Sequence, residues 1–568
     1  MTFLVNAPSD FADQALAGLV AAHPRYLRAV HGGVVRSTVV PQGQVGLVIG
    51  GGTGHYPAFA GWVGPGIAHG SACGNIFASP SASQIYSVLK ACDHGAGVFV
   101  SFGNYAGDVL HFGQAAEKLR GEGVDVRIVT VTDDIASAPP QRAAERRGIA
   151  GDLAVFKCAG AAAEEGADLD AVERIAVHAN DRTRTFGVAF AGCTLPGADH
   201  PLFTVPEGQM SLGLGIHGEP GIADVPLGTA DEIAALLVEK VLAEDPGDSK
   251  RVVALLNGLG TVKYEELYLT YGTVARLLGE HGYTVVDAEV GEQCTSLDMA
   301  GLSLTLLWLD DELERLWTAP CDTPAYRKGV VGEREIDRTA RAEDTQDDIA
   351  PGSAASQALA GRIATGVSAV HALLQEIEPY LGDIDAIAGD GDHGIGMLRG
   401  AAAGDAAAAE LLTRQAGART LLERVGAAWA ERSGGTSGAL WGAAIEAAAA
   451  QLDDQDVAAA QDAREVAVAA AVAAVHAILQ LGKAQVGEKT MVDAAVPFRD
   501  ALQSTPGPLP QVWAAAVTAA TTGAEATKDY SAKRGRAKTH QDKSIGTPDP
   551  GAVSFARIVA VVGEHLPG

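Results

Sequence analysis

The sequence predicts an α/β N-terminal half built from two α/β subdomains, followed by a linker and an all-α C-terminal half. Three observations carry that division. Short β-rich runs alternate with helical stretches over roughly the first 320 residues, the pattern of strands joined by crossover helices. Periodicity fades between about 320 and 355. From about 356 onward apolar residues recur at spacings of three and four, and β-rich runs become scarce.

In chain order, strands are expected over 45–49, 98–102, 126–131, 185–191, 252–256, 283–286 and 303–309. A helix over 231–243 is opened by a capping box, Thr229 to Glu232. Seven strands over this length imply two subdomains dividing near residue 180, within a first domain spanning 1–325. Glycines at strand ends place ligand-facing loops at the C-terminal edges of strands. The linker, 326–355, mixes Asp344, Asp347 and Asp348 with Arg338, Arg341, Thr345 and Gly352. The C-terminal domain, 356–568, opens with Leu359, Ile363, Val367, Val370, Leu374 and Ile377 on one helical face. Its alanine runs, at 447–450 and from 467, allow close helix packing and so a compact bundle.

Composition narrows the function. Of 568 residues, 47% are hydrophobic and 20% charged, enough apolar content for large cores. The net charge of −28 is the wrong sign for a nucleic-acid or anionic-membrane binder. Any anionic ligand must be held locally, by backbone amides, a few cations or metal ions. The six cysteines include no CxxC pair, so neither a disulfide framework nor a zinc site is expected, and a reducing cytoplasm suits the chain. No basic-then-apolar leader opens the sequence, and no unbroken apolar run reaches about 18 residues.

The densest chemistry lies at 381–396, LGDIDAIAGDGDHGIG, where Asp385, Asp390 and Asp392 fall within eight residues. Two carboxylates about 5 Å apart repel by about 3 kcal/mol at an effective dielectric of 20, which a cation would offset. Oxygen-only ligands select a hard ion, Mg²⁺ or Ca²⁺. Gly394 stands where an EF-hand needs a third acid, so an EF-hand is excluded; a solvated acidic loop is the plain alternative. Two glycine-rich turns follow, 433–438 (SGGTSG) and 549–552 (DPGA). Amides beside Thr436 and Ser437 could cradle phosphate at a helix N-terminus, or simply connect two helices. No GxxxxGK[ST] occurs, so a P-loop is out. The run 533–538 (KRGRAK) could meet a nucleotide phosphate or form an exposed loop.

The N-terminal half carries GGGTGH at 50–55, NYAGD at 104–108 and GLGIHGEPG at 213–221. The GxGxxG inside the last is a decoy, because Pro220 prevents a helix from opening there. His217, two residues after Gly215, is expected to present an imidazole with little around it. A lone histidine is usually structural. Two histidines and an aspartate, each on its own glycine-rich loop, favour chemistry.

Together these motifs resemble the dihydroxyacetone kinase family in its single-chain, ATP-dependent form, over nearly the whole chain. GGGTGH, NYAGD, RRGIAG (146–151), GIHGEPG and NGLG (257–260) are similar to the ketose-binding K domain. The aspartate run, GGTSG, GEKTMVDA (487–494), GRA and DPGA are similar to the nucleotide-binding L domain. The resemblance implies that His217 attacks the ketone carbon to form a hemiaminal. Asp108 would accept the proton of the attacking hydroxyl, and His55 would hydrogen-bond the substrate. Gly52, Thr53, Gly54 and Gly103 would complete the ketose loop. Asp385, Asp390 and Asp392 would hold Mg²⁺ on ATP. His393, Gly394, Ile395, Gly396, Thr436, Ser437, Gly487, Thr490, Met491, Arg536, Asp549, Pro550 and Gly551 would border the nucleotide. The resemblance also implies an eight-helix barrel for the L domain and a homodimer, with a small ketose and ATP as the ligands.

The sequence departs from the family pattern near the substrate loops. His55-Tyr56-Pro57-Ala58-Phe59 replaces the usual GHEPxH continuation, Gly103 replaces a lysine, and Asn75 replaces a glutamate. Residues 538–543 (KTHQDK) replace a tyrosine-leucine-glycine-glutamate-arginine run. A GHYPAF loop resembles that of erythrulose kinases, so a four-carbon ketose such as D-erythrulose is expected ahead of dihydroxyacetone. The other readings are a phosphotransferase-system component with bound ADP, an FAD-cleaving lyase, and a non-catalytic ketose sensor.

Overall fold

The computed structural model describes residues 4–337, 349–387, 391–455, 463–533 and 544–566. It divides into two compact units, 1–343 and 344–568.

The first unit holds two six-stranded sheets. The first comprises β1 (Leu27–Val30), β2 (Gly33–Arg36), β3 (Gly46–Thr53), β4 (Gly70–Ile76), β5 (Val98–Gly103) and β6 (Val126–Val131), in the order β1-β2-β4-β3-β5-β6. Strands β4, β3, β5 and β6 are parallel. The chain runs from β3 to β4 on one side and returns to β5 on the other. The order therefore reverses between β3 and β5, and ligands bind at such a switch point, outside the carboxyl ends of the strands. The second sheet comprises β7 (Thr183–Ala191), β8 (Gln209–Leu212), β9 (Ala223–Pro226), β10 (Arg251–Gly258), β11 (Thr284–Gly291) and β12 (Ala300–Trp308), in the order β11-β10-β12-β7-β8-β9. Only β10 and β11 run parallel in it.

Helices of this unit are α1 (Phe11–Ala22), α2 (Ala82–Ala91), α3 (Ala106–Gly121), α4 (Asp152–Glu164), α5 (Leu169–Asp181), α6 (Ala230–Leu242), α7 (Tyr264–Glu280) and α8 (Asp311–Thr318). The expected capping box at Thr229 and Glu232 opens α6. Helices α2 and α3 pack on one face of the first sheet, and α6 and α7 on one face of the second. The remaining core gathers α4 with Leu47, Ile49 and Phe99 of the first sheet and Val253, Leu255 and Leu307 of the second. That is why α4 is buried from Asp152 to Ala163 with almost no amphipathic contrast. Residues Tyr326 to Asp337, inside the stretch read as linker, lie against this unit: the Tyr326 hydroxyl donates to Glu289 Oε1 at 2.6 Å, and Asp337 N to Ser37 O at 2.8 Å.

The second unit is all-helical among its described residues: α9 (Ala354–Ala386), α10 (His393–Thr413), α11 (Ala418–Ser433), α12 (Gly435–Ala449), α13 (Ala463–Gly482), α14 (Val492–Ser504), α15 (Leu509–Ala526) and α16 (Pro550–Glu564). Each packs on the next and α16 closes on α9, which makes an eight-helix barrel. It surrounds an apolar cavity of about 840 Å³ lined by Trp429, Trp441, Trp513 and Phe555. Among the described residues α13 alone is long and apolar enough to cross a membrane, with mean hydropathy 1.7. The sequence reading missed it because Arg464, Glu465 and His476 interrupt the run. Its alanines and valines face the barrel cavity, so it is apolar yet little buried.

Candidate active site

Loops from both sheets of the first unit bring the two motif histidines together. His55 follows β3 at the switch point, and His217 sits in the turn between β8 and β9. Their Nε2 atoms are 3.0 Å apart, with rings at 86°. His55 is fixed from behind by Nδ1 donating to Thr295 O at 2.7 Å. The loop supplying that carbonyl is itself held by Asn257, whose Oδ1 accepts from Gln293 N and Cys294 N and whose Nδ2 donates to Cys294 O. NGLG therefore acts on His55 through one intervening loop.

His217 is held from the opposite end. Its Nδ1 donates to Glu219 Oε1 at 3.0 Å, and its backbone N donates to Glu219 Oε2 at 3.0 Å. Arg147 stands behind Glu219 at 3.6 Å and pairs with Asp134 at 2.7 Å. Burial alone would lower the Arg147 guanidinium, but the Asp134 and Glu219 carboxylates outweigh it and raise it, so it stays charged.

The expectation of an unobstructed His217 is corrected. The ring is 8% exposed and packed by Tyr105 (centroids 4.5 Å, 90°), Phe77 (5.4 Å) and His55 (4.7 Å). Its flanking glycines are there for close backbone approach. A Cβ on Gly215 would meet the Glu219 carboxylate at 2.1 Å, and Gly218, at φ +84°, would meet Phe203 at 2.5 Å.

Burial first, and the facing His217 second, push His55 down to about 3. Proton counting then gives the site its character. Thr295 O and the Glu219 carboxylate can only accept, so both Nδ1 atoms carry their protons. On neutral rings the two Nε2 atoms would be lone pairs facing each other. The pair is built to receive a proton or an electrophile between them.

Asp108 lies in the first turn of α3, three residues after Tyr105, and is buried. Gly103 ends β5, and a Cβ there would press on Gly148 O at 3.0 Å, which joins NYAGD to RRGIAG. Asn104 Nδ2 reinforces that join by donating to Arg146 O at 2.8 Å. Gly52 backs onto Phe77 and Ala78, Gly54 onto Phe77, and Thr53 Oγ1 donates to Gly74 O at 3.0 Å.

The second unit collects the other motif residues. Asp385 closes α9 and Asp392 caps α10, whose first turn is His393, Gly394, Ile395 and Gly396. Asp385 Oδ2 accepts from His393 N at 3.1 Å. His393 ties three helix N-termini: Nδ1 lies 3.3 Å from Ser437 Oγ in the first turn of α12, and Nε2 lies 3.0 Å from Ser554 Oγ in α16. Thr436 is exposed beside Ser437. Asp549 caps α16 by accepting from Ala552 N at 2.7 Å, with Pro550 at its first position. Asp493, in GEKTMVDA, accepts from Gly487 N and Thr490 N. A Cβ on Gly551 would lie 3.4 Å from Met491 Cβ, so DPGA and GEKTM adjoin. Three helix N-termini meeting at one place favour anionic phosphate. Asp390 and Arg536 lie outside the described residues.

Burial, then Asp385, pushes Asp392 up to about 7. Burial also pushes Asp549 up to about 7, with Asp493 and Asp385 adding to it. These carboxylates resist ionising together without a cation. No three metal-type ligands converge among the described residues. Mg²⁺ on a nucleotide needs only one or two carboxylates beside the phosphates, and Asp385 with Asp392 supply that hard, all-oxygen donor set. The residues fit the ion.

Sequence reasoning quoted the motifs containing Glu219, Arg147, Tyr105 and Asn257 but gave those residues no role. Phe77 ended the 74–77 segment (GNIF) that carries Asn75, likewise without a role, and Asp134 and Thr295 stood outside every motif.

Comparison with known proteins agrees with this geometry. Residues 17–325 match the Dak1 domain and 387–564 the DAK2 domain. The chain therefore belongs to the dihydroxyacetone kinase family, with both domains in one polypeptide. Within it the chain falls in the erythrulose kinase branch. It is 57% identical to L-erythrulose 1-kinase of Mycolicibacterium smegmatis over 100% of both chains. It is 50% identical to D-erythrulose kinase of the same organism, over 99% of this chain and 98% of the relative. A crystal structure of the C. freundii dihydroxyacetone kinase with AMP-PNP and Mg²⁺ is 29% identical, with TM-score 0.54 over 99% of both chains.

Proposed function

We propose that this kinase transfers the γ-phosphoryl group of ATP to a terminal hydroxyl of a four-carbon ketose held as a hemiaminal on His217. The observation that carries it is the facing pair of Nε2 atoms at 3.0 Å. His217 Nε2 forms a bond to the ketone carbon, the C=O π pair moves to oxygen, and that oxygen takes a proton from solvent relayed by His55 Nε2 while the His217 ring passes its Nδ1 proton to Glu219. Glu219, backed by Arg147, offsets the positive charge that develops on the His217 ring. The adduct fixes the remaining hydroxymethyl group, a proximity effect. Asp108 accepts that hydroxyl's proton as it attacks phosphorus. Mg²⁺ held by Asp385, Asp392 and Asp390 would neutralise charge on the transferring group when bound. His393, Ser437 and the helix N-termini around them orient the nucleotide phosphates. The same reading takes the enzyme as a cytoplasmic homodimer.

The erythrulose names of the two relatives support a tetrulose, and the higher identity to the L-erythrulose enzyme favours the L form over the D form first expected. Assays of D-erythrulose, L-erythrulose and dihydroxyacetone with ATP and Mg²⁺ test this. An erythrulose should show the highest kcat/KM. A higher value for dihydroxyacetone would overturn the substrate assignment. A ketose labelled with ¹³C at C2 should lose its carbonyl resonance on binding, and a retained one would overturn the adduct.

A further inference from the structure

The first unit contains a second polar cavity that the ketose site does not use. Its volume is about 720 Å³. It is walled by Arg28 of β1, Arg36 at the end of β2, His69 just before β4, and His94 after α2, with Glu335 and Asp337 along one side. None of these residues belongs to the machinery described above.

Two of the side chains walling this cavity, His69 and Arg28, carry a donor without an acceptor. His69 is 2% exposed, and its Nδ1 accepts from Leu47 N at 3.0 Å. The ring proton is therefore on Nε2. That Nε2 lies 3.4 Å from Arg36 Nη1, so a donor faces a donor. Burial, with Arg36 and His94 adding to it, holds His69 well below its ordinary value, so the ring is neutral and offers a single N–H. The His94 ring lies beside it, centroids 5.8 Å apart. The same Arg36 Nη1 donates to Glu164 Oε2 at 2.7 Å, and Arg36 Nε donates to Thr38 Oγ1 at 3.3 Å, so Arg36 is itself paired. Arg28 Nε is buried and has no hydrogen-bond partner among the described residues. A buried donor left without an acceptor costs about 1–3 kcal/mol. Arg28 Nε thus has no acceptor and His69 Nε2 faces only another donor, two such donors from separate parts of the fold around one space.

We propose that this cavity binds a small, singly headed oxyanion with a hydroxylated body, the chemistry shared by sugar phosphates and sugar acids. The anionic head accepts from His69 Nε2, Arg36 and Arg28, as guanidinium forks suit phosphate and carboxylate alike. Glu335 and Asp337 accept from hydroxyl groups at the other end and repel a second anionic group. The volume exceeds what a bare inorganic ion fills and suits a metabolite-sized ligand. The ligand would also touch the segment paired with the chain after β2, where Val39 N donates to Glu335 O at 2.8 Å.

Isothermal titration of the full chain with ribose 5-phosphate, gluconate and inorganic phosphate tests this independently of the kinase reading. Saturable binding of ribose 5-phosphate or gluconate, one per chain, is expected. Response to only one of them identifies the head group as phosphate or carboxylate. Arg28→Gln combined with His94→Asn should weaken binding at least about tenfold, about 1.4 kcal/mol, while His217→Ala leaves it unchanged. Arg28→Lys, which keeps the charge but removes the fork, should give a smaller loss and serves if the double variant does not fold. Binding that survives the double variant but disappears in His217→Ala would assign the ligand to the ketose site and overturn the proposal. Inorganic phosphate binding as tightly as its sugar ester would overturn the hydroxylated body. Silence from all three probes at millimolar concentration would overturn the site.

Discussion

The histidine site of the first unit and the aspartate site of the second are finished to different degrees. In the first unit the proposed ketose site is held together by the protein's own residues. A chain of groups runs from Asn257 through the 293–295 loop and His55 to His217, Glu219, Arg147 and Asp134, with Asn257 bonded to Gln293 and Cys294 and every later link at or near hydrogen-bond or ion-pair distance. In the second unit the proposed nucleotide site gathers like charges, Asp385, Asp392 and Asp549, whose carboxylates oppose one another. One is preorganised by its own residues, and the other is organised by what it binds. A nucleophile must be aimed before its substrate arrives. A metal–nucleotide site can leave part of its charge balance to the ligand.

Substitutions can break that contrast. The largest effect should come from His217→Ala. It removes the nucleophile, so kcat/KM on the native ketose should fall by about 10⁴-fold or more, with no ¹³C adduct signal and unchanged ATP affinity by titration. Near wild-type kcat/KM would refute the covalent role. Asp392→Ala comes next. Steady-state kinetics should show kcat down by about 10²- to 10³-fold, while the ketose adduct still forms. An Asp392→Ala protein that bound Mg-ATP normally but lost the adduct would reverse the assignment of the two halves.

Glu219→Gln sharpens the contrast within the preorganised half. It keeps the shape but loses the charge that offsets the His217 ring, so the adduct should form more slowly and kcat/KM should fall by up to about 100-fold. Glu219→Asp should recover part of that loss. Equal losses in both variants would indicate packing rather than charge.

The smallest effect is on stability. Asp392 and Asp549 sit near 7 in the fold, above an unfolded value near 4. The folded chain therefore binds more protons than the unfolded chain between those values. With chelator present, stability of the second unit should fall as pH rises from about 5 to 7, by at most about 1.4 kcal/mol per pH unit for Asp549 and by less for the exposed Asp392, where solvent screens the charges. Mg²⁺ should flatten the dependence, as followed by thermal melts with and without EDTA. A melt midpoint that rose with pH in EDTA would contradict the charge crowding.

Much of the fold was legible in the sequence. All seven expected strands exist, because each carries a run of β-branched or large apolar residues such as Val252–Val253 or Leu304–Leu307. Strand β4, GSACGNI, escaped because its buried positions are glycine, serine and alanine, filled by backbone contact. Strands β8 and β9 escaped because strands of four residues carry no period. In the site, the aspartate run and the glycine loops were legible as local patterns. The meeting of His55 and His217, 162 residues apart, was not, since pairing across two sheets is set by packing. Glu219 was visible only as a neighbour of His217, and nothing local marked its carboxylate as the partner of Nδ1.

The placement of α4 carries a mechanical consequence. His55 rides on one sheet and His217 on the other, and α4 is the shared keel between them. At Gly160 its backbone runs so close to Ile67 that a single added carbon would sit 2.0 Å from the Ile67 carbonyl oxygen. Relieving that contact means displacing the keel by about 1 Å, a misalignment of the order that costs about 10²-fold in rate when it reaches reacting groups. The gap between two nitrogens is thus a tolerance machined into a helix that touches neither of them.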